Sequence, residues 1–418
     1  MGGERDVNSL PMLIDQRATT EPGLAFTLRL GEALHKYGVP AHRLEQAMAV
    51  VAARFGLRGR FYSTPTAIIA SFGPAEALRT SMIRVEPGEV DLGRLAALDE
   101  LTTEVIQQRL DADEAQARLD EILGRPPLYG NAATVAAFCI ASGGAAFLLG
   151  GSWREVIMGL VIGTITGLLA ALSGRVPPLG RLLEGIGAFV ATALATAGER
   201  ILGPYSVQLA VIAGIIVLLP GLSLTIAFTE LATRNLVSGT SRAMGALVTF
   251  MLMGFGVAMG TQVDRLLPAV PSTAPADPLP GWFLLPALLF GVGAFAITFK
   301  ARWKEAPMIV LGGSMAFFVA AAASRVLGPQ LGAFVGSFAL CSGANLLARL
   351  RNKPSIILIL PGLLLLVPGS IGFRSLDALL ERNVLSGVET AFNMAMVAVA
   401  IVIGLLMANV VVPPRKVL

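Results

Sequence analysis

The sequence predicts an α-helical polytopic membrane protein: ten transmembrane helices arranged as two inverted five-helix repeats, preceded by a small cytosolic α/β domain. Three observations carry that prediction. Of 418 residues, 54% are apolar and only 14% charged, against a charged fraction of ~25% in ordinary soluble domains. The charge is unevenly placed, because residues 1–128 hold 14 Lys/Arg and 18 Asp/Glu while the rest hold 18 and 10. Short motifs beyond residue 129 also recur at a nearly constant offset. The acidic first part reads as soluble and the basic remainder as membrane-embedded.

The soluble part, residues 1–128, alternates helical and extended patterns. "LAFTLRLGEALHKYG" and "AHRLEQAMAVVAARFG" space apolar residues as helices do, and both stop at glycine. "RFYSTPTAIIASFG" and "LRTSMIRVEP" read as extended segments joined at a turn near Gly73-Pro74. "DLGRLAALDELTTEVIQQRL" opens with an Asp suited to capping a helix, and "DADEAQARLDEIL" follows as a short charged helix. "GRPPLYG" at 124–130 leads into the membrane. No basic-then-apolar signal pattern opens the chain, so this part is expected to stay in the cytosol.

Ten apolar spans of about twenty residues follow, the length that crosses ~30 Å of hydrocarbon. They lie near 132–150, 155–173, 183–202, 207–231, 236–263, 282–300, 306–326, 330–348, 355–373 and 385–412. A Pro-rich linker at 264–281 divides a first five-helix repeat, 129–263, from a second, 282–418. The halves match in Trp153-Arg154-Glu155 and Trp303-Lys304-Glu305, Arg175-Val176 and Arg325-Val326, and Pro220-Gly221 and Pro368-Gly369, at offsets of 148 to 150. The hexamer "RNLVSG" at 234–239 returns as "RNVLSG" at 382–387. A repeat of five spans inserts its second copy upside down, an architecture found in many secondary transporters. With both termini inside, eleven basic residues fall in cytosolic segments and six in outer ones; the clusters "KARWK" and "RLRNK" are both inside. The localisation implied is the cell's inner (plasma) membrane.

The excess of positive charge lies in loops between spans, so the pI near 9.3 does not argue for nucleic acid. Cys139 and Cys341 sit in apolar runs and read as buried inert thiols. His35 and His42 read as surface or cap residues rather than metal ligands. No phosphate-binding loop or hydrolase set of residues appears, and no cofactor or metal is implied. Small residues at four-residue spacing, Gly159/Gly163/Gly167 and Gly328/Gly332/Gly336, suit close helix packing or a helix that slides.

Two features offer more chemistry. Proline removes a helical donor, so the fourth and ninth spans should be kinked or broken at Pro220-Gly221 and Pro368-Gly369, with Pro361-Gly362 a further break. Such a break is either a plain kink or a discontinuous helix whose free backbone groups line a substrate site. With Ser223, Thr225 and Ser370 beside them, these residues form the candidate substrate site. The second feature is Glu230, ten residues past Pro220, with Arg234 four further on and Arg242 inside the fifth span. Glu230 with Arg234 would be an interfacial ion pair. Arg242 would bind a carboxylate or pair with Glu230. The matching positions of the second half are Ala378 and Thr390, so the charged pair exists in one copy only, although Asp377 and Glu389 lie one residue away. Asn235, Ser238 and Gly239, with Asn383, Ser386 and Gly387, read as turn and cap residues opening the fifth and tenth helices.

"YGVPAHRLEQAM", "YSTPTAIIASFG" and "LPGLSLTIAFTELATRNLVSGTSRAMGA", followed by "LVPGS" in the C-terminal half, resemble the threonine/serine exporter family from about residue 24 to 412. The resemblance implies export of small amino acids, chiefly threonine and serine, driven by the proton motive force. In that pattern Pro220, Gly221, the acid at 230, Gly239 and Arg242 match, while an asparagine of some relatives is Ile226 here. Two-component relatives are associated with dicarboxylate export, so a succinate-like substrate is the alternative. Arg43, Glu45, Thr64, Pro65 and Thr66 match the N-terminal pattern and are expected to be structural. The reading is thus a proton-coupled antiporter in which Arg242 holds the substrate carboxylate and Glu230 carries the proton. Its partners are a small amino acid, protons and the bilayer, and a homo-oligomer is left open. A membrane-embedded enzyme and a ligand-gated channel are the competing classes.

Overall fold

The computed structural model describes residues 21–264 and 279–414, apart from residues 87 and 352. The Pro-rich linker expected at 264–281 therefore lies almost wholly outside the described residues.

The N-terminal elements are α1 (Pro22–Lys36), α2 (Ala41–Arg54), β1 (Gly59–Thr64), β2 (Ala67–Phe72), β3 (Arg79–Arg84), α3 (Leu92–Ile106) and α4 (Ala112–Gly124). Asp91 caps α3 by accepting the Arg94 amide at 2.9 Å, and Asp111 with Glu114 forms a capping box on α4. The strands pair antiparallel in the order β1-β2-β3. One expectation is corrected here: residues 60–73 are two strands rather than one extended segment. They reverse at Pro65-Thr66, where Thr64 pairs with Ala67 and its hydroxyl accepts the Ala67 amide at 3.0 Å. The fixed φ of proline starts that turn, and a two-residue reversal leaves the apolar pattern on either side unchanged.

Phe26, Leu30, Leu34, Leu44 and Met48 are fully buried between α1 and α2. Their cluster continues without interruption into Phe295, Phe299, Ile356 and Ile357 of the membrane part. Backbone bonds tie the two parts together, Leu92 donating to the Phe299 carbonyl at 2.8 Å and Gly93 to that of Lys300 at 3.1 Å. The Tyr129 hydroxyl donates to the Ala301 carbonyl at 2.8 Å.

The membrane part comprises α5 (Asn131–Leu148), α6 (Trp153–Ser173), the short α7 (Pro177–Gly180), α8 (Leu183–Leu202), α9 (Val207–Gly214), α10 (Gly221–Ala232) and α11 (Leu236–Asp264). It continues with α12 (Leu284–Thr298), α13 (Ala306–Leu327), α14 (Pro329–Arg351), α15 (Ile356–Leu364), α16 (Gly369–Leu380) and α17 (Val384–Val411). Among the described residues nine helical segments are long and apolar enough to cross a bilayer. The fourth expected span, divided into α9 and α10, is not one of the nine, whereas the ninth, divided into α15 and α16, is counted across its break. Large apolar side chains such as Phe255, Leu285, Phe290, Leu311 and Phe392 stand exposed. Facing water they would be an aggregation surface, whereas against hydrocarbon they are an ordinary one. The protein is a polytopic helical membrane protein.

The two halves pack alike: α8 lies on α11 as α14 lies on α17, and α10 on α11 as α16 on α17. Of the small-residue ladders, the one on α6 packs against α5, where Ser142 and Phe138 fill the space a Cβ would need. Gly328 is no part of the second ladder, since it occupies the turn before α14 at φ 86°. Pro361-Gly362 corrects another expectation, for Pro361 lies inside α15 and does not break it. A proline there removes one backbone bond from a helix whose neighbouring residues are buried, and packing holds the segment straight enough to continue.

Candidate functional site

The two breaks have nearly the same backbone. Pro220 precedes α10 with φ −77° and ψ 31°, and Pro368 precedes α16 with φ −79° and ψ 25°. The first bonds of each helix run from Leu224 to the Pro220 carbonyl at 3.0 Å and from Gly372 to the Pro368 carbonyl at 2.9 Å. The amides of 221–223 and 369–371 precede those bonds and are the free donors of two helix N-termini.

These N-termini meet where Gly221 and Gly369 are both buried. A Cβ built on Gly221 would lie 3.1 Å from Gly369 Cα and 2.2 Å from Val367 Cγ1, and one on Gly369 would lie 3.3 Å from Gly221 Cα. Only glycine at both positions permits that approach, and in this conformation it leaves no room for a ligand between the two backbones. Ser223 and Ser370 beside the breaks are half-buried. Thr225 is buried, but its hydroxyl donates to the Gly221 carbonyl at 3.2 Å, within its own helix. Gln208 at the start of α9 donates to the carboxylate of Asp377 near the end of α16, so the two broken helices run antiparallel across their shared break.

Glu230 is fully buried at the far end of α10. Arg242 of α11 grips it with two bonds, Nε to Oε2 at 3.1 Å and Nη2 to Oε1 at 3.2 Å. This two-pronged geometry suits a guanidinium and a carboxylate. Of the two roles left open for Arg242, the structure adopts the ion pair. Arg234 does not take part; it is exposed and turns the chain between α10 and α11 at φ 64°. Glu230 lies nine positions past Gly221, about 13 Å along a helix, so the predicted site residues fall into two groups. Pro220, Gly221, Pro368 and Gly369 come together at the break, while Glu230 and Arg242 stand at the end of α10.

A third participant at Glu230 was not foreseen. The Ala41 amide, the first of α2, donates to Glu230 Oε1 at 3.2 Å. The N-terminal domain thus places a helix N-terminus on the buried carboxylate. One side chain expected at the surface is buried: His35 is only 6% exposed, with its Nε2 3.0 Å from the Thr64 carbonyl oxygen. Burial pulls the pKa of His35 below the ordinary histidine value, and burial followed by the neighbouring Arg43 does the same at His42. Glu45 accepts the Ser63 amide at 2.7 Å, and with Thr64 and its turn it holds the hairpin against α2. Burial pushes the Glu45 carboxyl up, opposed by that amide. Cys341 is buried and Cys139 half-buried.

Fold and site together define a polytopic helical membrane protein with a docked N-terminal domain and two broken helices touching at their breaks. A family model described as "Putative threonine/serine exporter" matches residues 25–264, and one described as "Threonine/Serine exporter, ThrE" matches residues 286–411. The chain belongs to the threonine/serine exporter family, with both of its membrane modules fused in one polypeptide. It is also similar to "Pheromone-regulated membrane protein 10" of Yarrowia lipolytica, 26% identical over 370 residues that cover 83% of this chain and 30% of that protein. The protein of the same name in Eremothecium gossypii is 26% identical over 386 residues, covering 88% of this chain and 50% of its own. The chain thus spans half or less of the length of these fungal relatives. No solved structure matches it.

Proposed function

We propose that the protein is a secondary active exporter of threonine and serine, driven by the proton motive force across the plasma membrane. In this reading residues 129–263 and 282–418 are two inverted five-helix repeats making ten crossings, joined by the linker at 264–281. Residues 1–128 are a cytosolic domain, and both termini face the cytosol. The observation that carries the reading is the contact of two helix N-termini at Gly221 and Gly369. Free amides and the positive ends of two helix dipoles there suit the carboxylate of an amino acid, and Ser223, Thr225 and Ser370 line the same break. The touching backbones make the present conformation a closed one.

The Glu230–Arg242 pair then acts as the cytosolic gate and the proton step. A proton on Glu230 removes the charge that Arg242 and the Ala41 amide hold, which frees α2 to withdraw and Arg242 to meet the substrate carboxylate. The antiparallel course of the broken helices supports the inverted repeat, and the shared packing of the halves supports it further.

Efflux of labelled threonine, serine and succinate from proteoliposomes under an imposed proton gradient tests the proposal. Threonine and serine efflux should depend on the gradient and collapse in Glu230→Gln. Preference for succinate would reassign the substrate, and downhill flux indifferent to an uncoupler would make the protein a channel.

A further inference from the structure

The glycine ladder of α6 packs that helix closely against α5 and then stops. A Cβ on Gly163 would lie 2.7 Å from the Phe138 carbonyl oxygen, and one on Gly167 3.0 Å from Val135 Cα, so the two backbones touch there. The next position at the same spacing is Ala171, whose methyl group keeps the helices further apart. A groove of about 490 Å³ opens at this point, between Asn131 and Val135 of α5 and Leu168, Ala171 and Leu172 of α6, with Arg175 just past the end of α6. It lies where α5 leaves the linker from the N-terminal domain.

The lining joins two chemistries. Val135, Leu168, Ala171 and Leu172 make apolar walls. Leu168 and Leu172 are 54% and 47% exposed, which in a bilayer means contact with acyl chains. Past the last turn of α6 the character changes. Arg175 is exposed, and among the described residues its guanidinium makes no hydrogen bond and no ion pair. Asn131, exposed at the start of α5, brings an amide side chain to the same groove. A free cation at the ends of two spans, above apolar walls, complements a phospholipid whose phosphate stays at the surface while a chain enters the groove. The headgroup that fits is anionic, because a choline or ethanolamine would bring a second cation to Arg175.

We propose that this groove binds an anionic phospholipid, Arg175 and the Asn131 amide holding its phosphate while an acyl chain lies along Val135, Leu168 and Leu172. The site follows from the membrane class of the protein and does not depend on the exporter reading. A lipid bound there ties the start of α5, and with it the linker to the N-terminal domain, to the end of α6.

The test titrates phosphatidylglycerol into the purified full chain in a neutral detergent and reads the thermal midpoint, at physiological salt so that charges away from the groove are screened. Phosphatidylglycerol should raise the midpoint saturably, and phosphatidylcholine should not. Arg175→Gln should raise the half-saturating lipid concentration about tenfold, the worth of one charge-assisted contact to phosphate, and Arg175→Lys should raise it less. Arg181→Gln removes an equal charge outside the groove and should change little. Ala171→Phe fills the groove without altering charge and should weaken binding as Arg175→Gln does. A lipid-free midpoint close to wild type shows that a variant is folded, and Arg175→Lys carries the comparison with Arg181→Gln if the other two are not. Equal losses in the Arg175 and Arg181 variants, or none in folded Ala171→Phe, mean general attraction between charges and overturn the site. An equal shift with phosphatidylcholine overturns the choice of an anionic headgroup, and the same shift with inorganic phosphate overturns the part given to the acyl chain. A midpoint that follows protein concentration instead of lipid gives the groove to a second copy of the chain and overturns the proposal.

Discussion

At the end of α10, Glu230 is buried in an ion pair with Arg242, whereas the matching positions at the end of α16 and in α17 are Ala378 and Thr390, which can form none. The backbone around them is otherwise the same. Arg234 and Arg382 turn the chain at φ 64° and 65°. Asn235 donates to the Glu230 carbonyl at 2.8 Å, as Asn383 does to that of Ala378 at 2.9 Å. The duplicated residues therefore build geometry, while the charges that could do transport chemistry were placed on one copy. That copy's end is also the one the N-terminal domain covers. Buried glutamates near the start of α6 and α13 extend the comparison: Glu155 accepts the Ser206 amide ahead of α9 at 2.8 Å, and Glu305 accepts Lys353 ahead of α15 at 3.0 Å. In both halves a buried carboxylate anchors the entry to the broken span.

Breaking the unequal feature should have the largest effect. Glu230→Ala leaves Arg242, whose side chain is only 20% exposed, without its partner. Removing one member of a buried pair costs about 3–5 kcal/mol, and residual water contact of Arg242 puts this site at the lower end. Thermal unfolding should show the loss, together with detachment of the N-terminal domain seen as faster amide exchange in α2. Ala378→Ser, the same position in the other copy, should leave both measurements near wild type. An equal effect in the two copies would erase the distinction between them.

The shared feature should respond symmetrically. Gly221→Val and Gly369→Val each push a side chain into the opposite break, a kind of overpacking that costs about 1–3 kcal/mol. Threonine efflux should be lost in both, and to a similar degree. If one tolerates valine and the other does not, the breaks are not a matched pair and only one of them serves as a site.

How much of this was legible in sequence depends on the range of each interaction. The polytopic helical class and both breaks were legible because apolar runs and prolines act locally. The hexamers were legible as turns for the same reason, and Arg242 stood out as a charge in an apolar stretch. The Pro65-Thr66 reversal was missed because it adds no residues between two apolar strands. The contact of Ala41 with Glu230 joins residues 189 apart in sequence; an alanine amide has no side-chain signature, so nothing near position 41 announced it. His35 was misjudged for a similar cause, since the Thr64 carbonyl that meets its ring lies 29 residues on. Arg43, expected to be structural with its neighbours, is half-buried in the first turn of α2.

The smallest effect should come from the caps, where the two hexamers part in one detail. The Asn383 side chain accepts the Ser386 amide at 3.4 Å and caps α17. Asn235 instead turns back, its Nδ2 donating to the Thr233 carbonyl at 3.3 Å and to the Thr233 hydroxyl at 3.2 Å. Loss of an N-cap side chain costs about 1 kcal/mol, and the long Asn383 bond puts it at or below that figure. Asn383→Ala should therefore lower the thermal midpoint slightly and speed amide exchange in the first turn of α17. Asn235→Ala should spare the first turn of α11 and loosen the end of α10 instead, next to Glu230. Because that end holds the ion pair, the second substitution should also weaken docking of α2, an effect its counterpart in the copy without that pair has no means to produce.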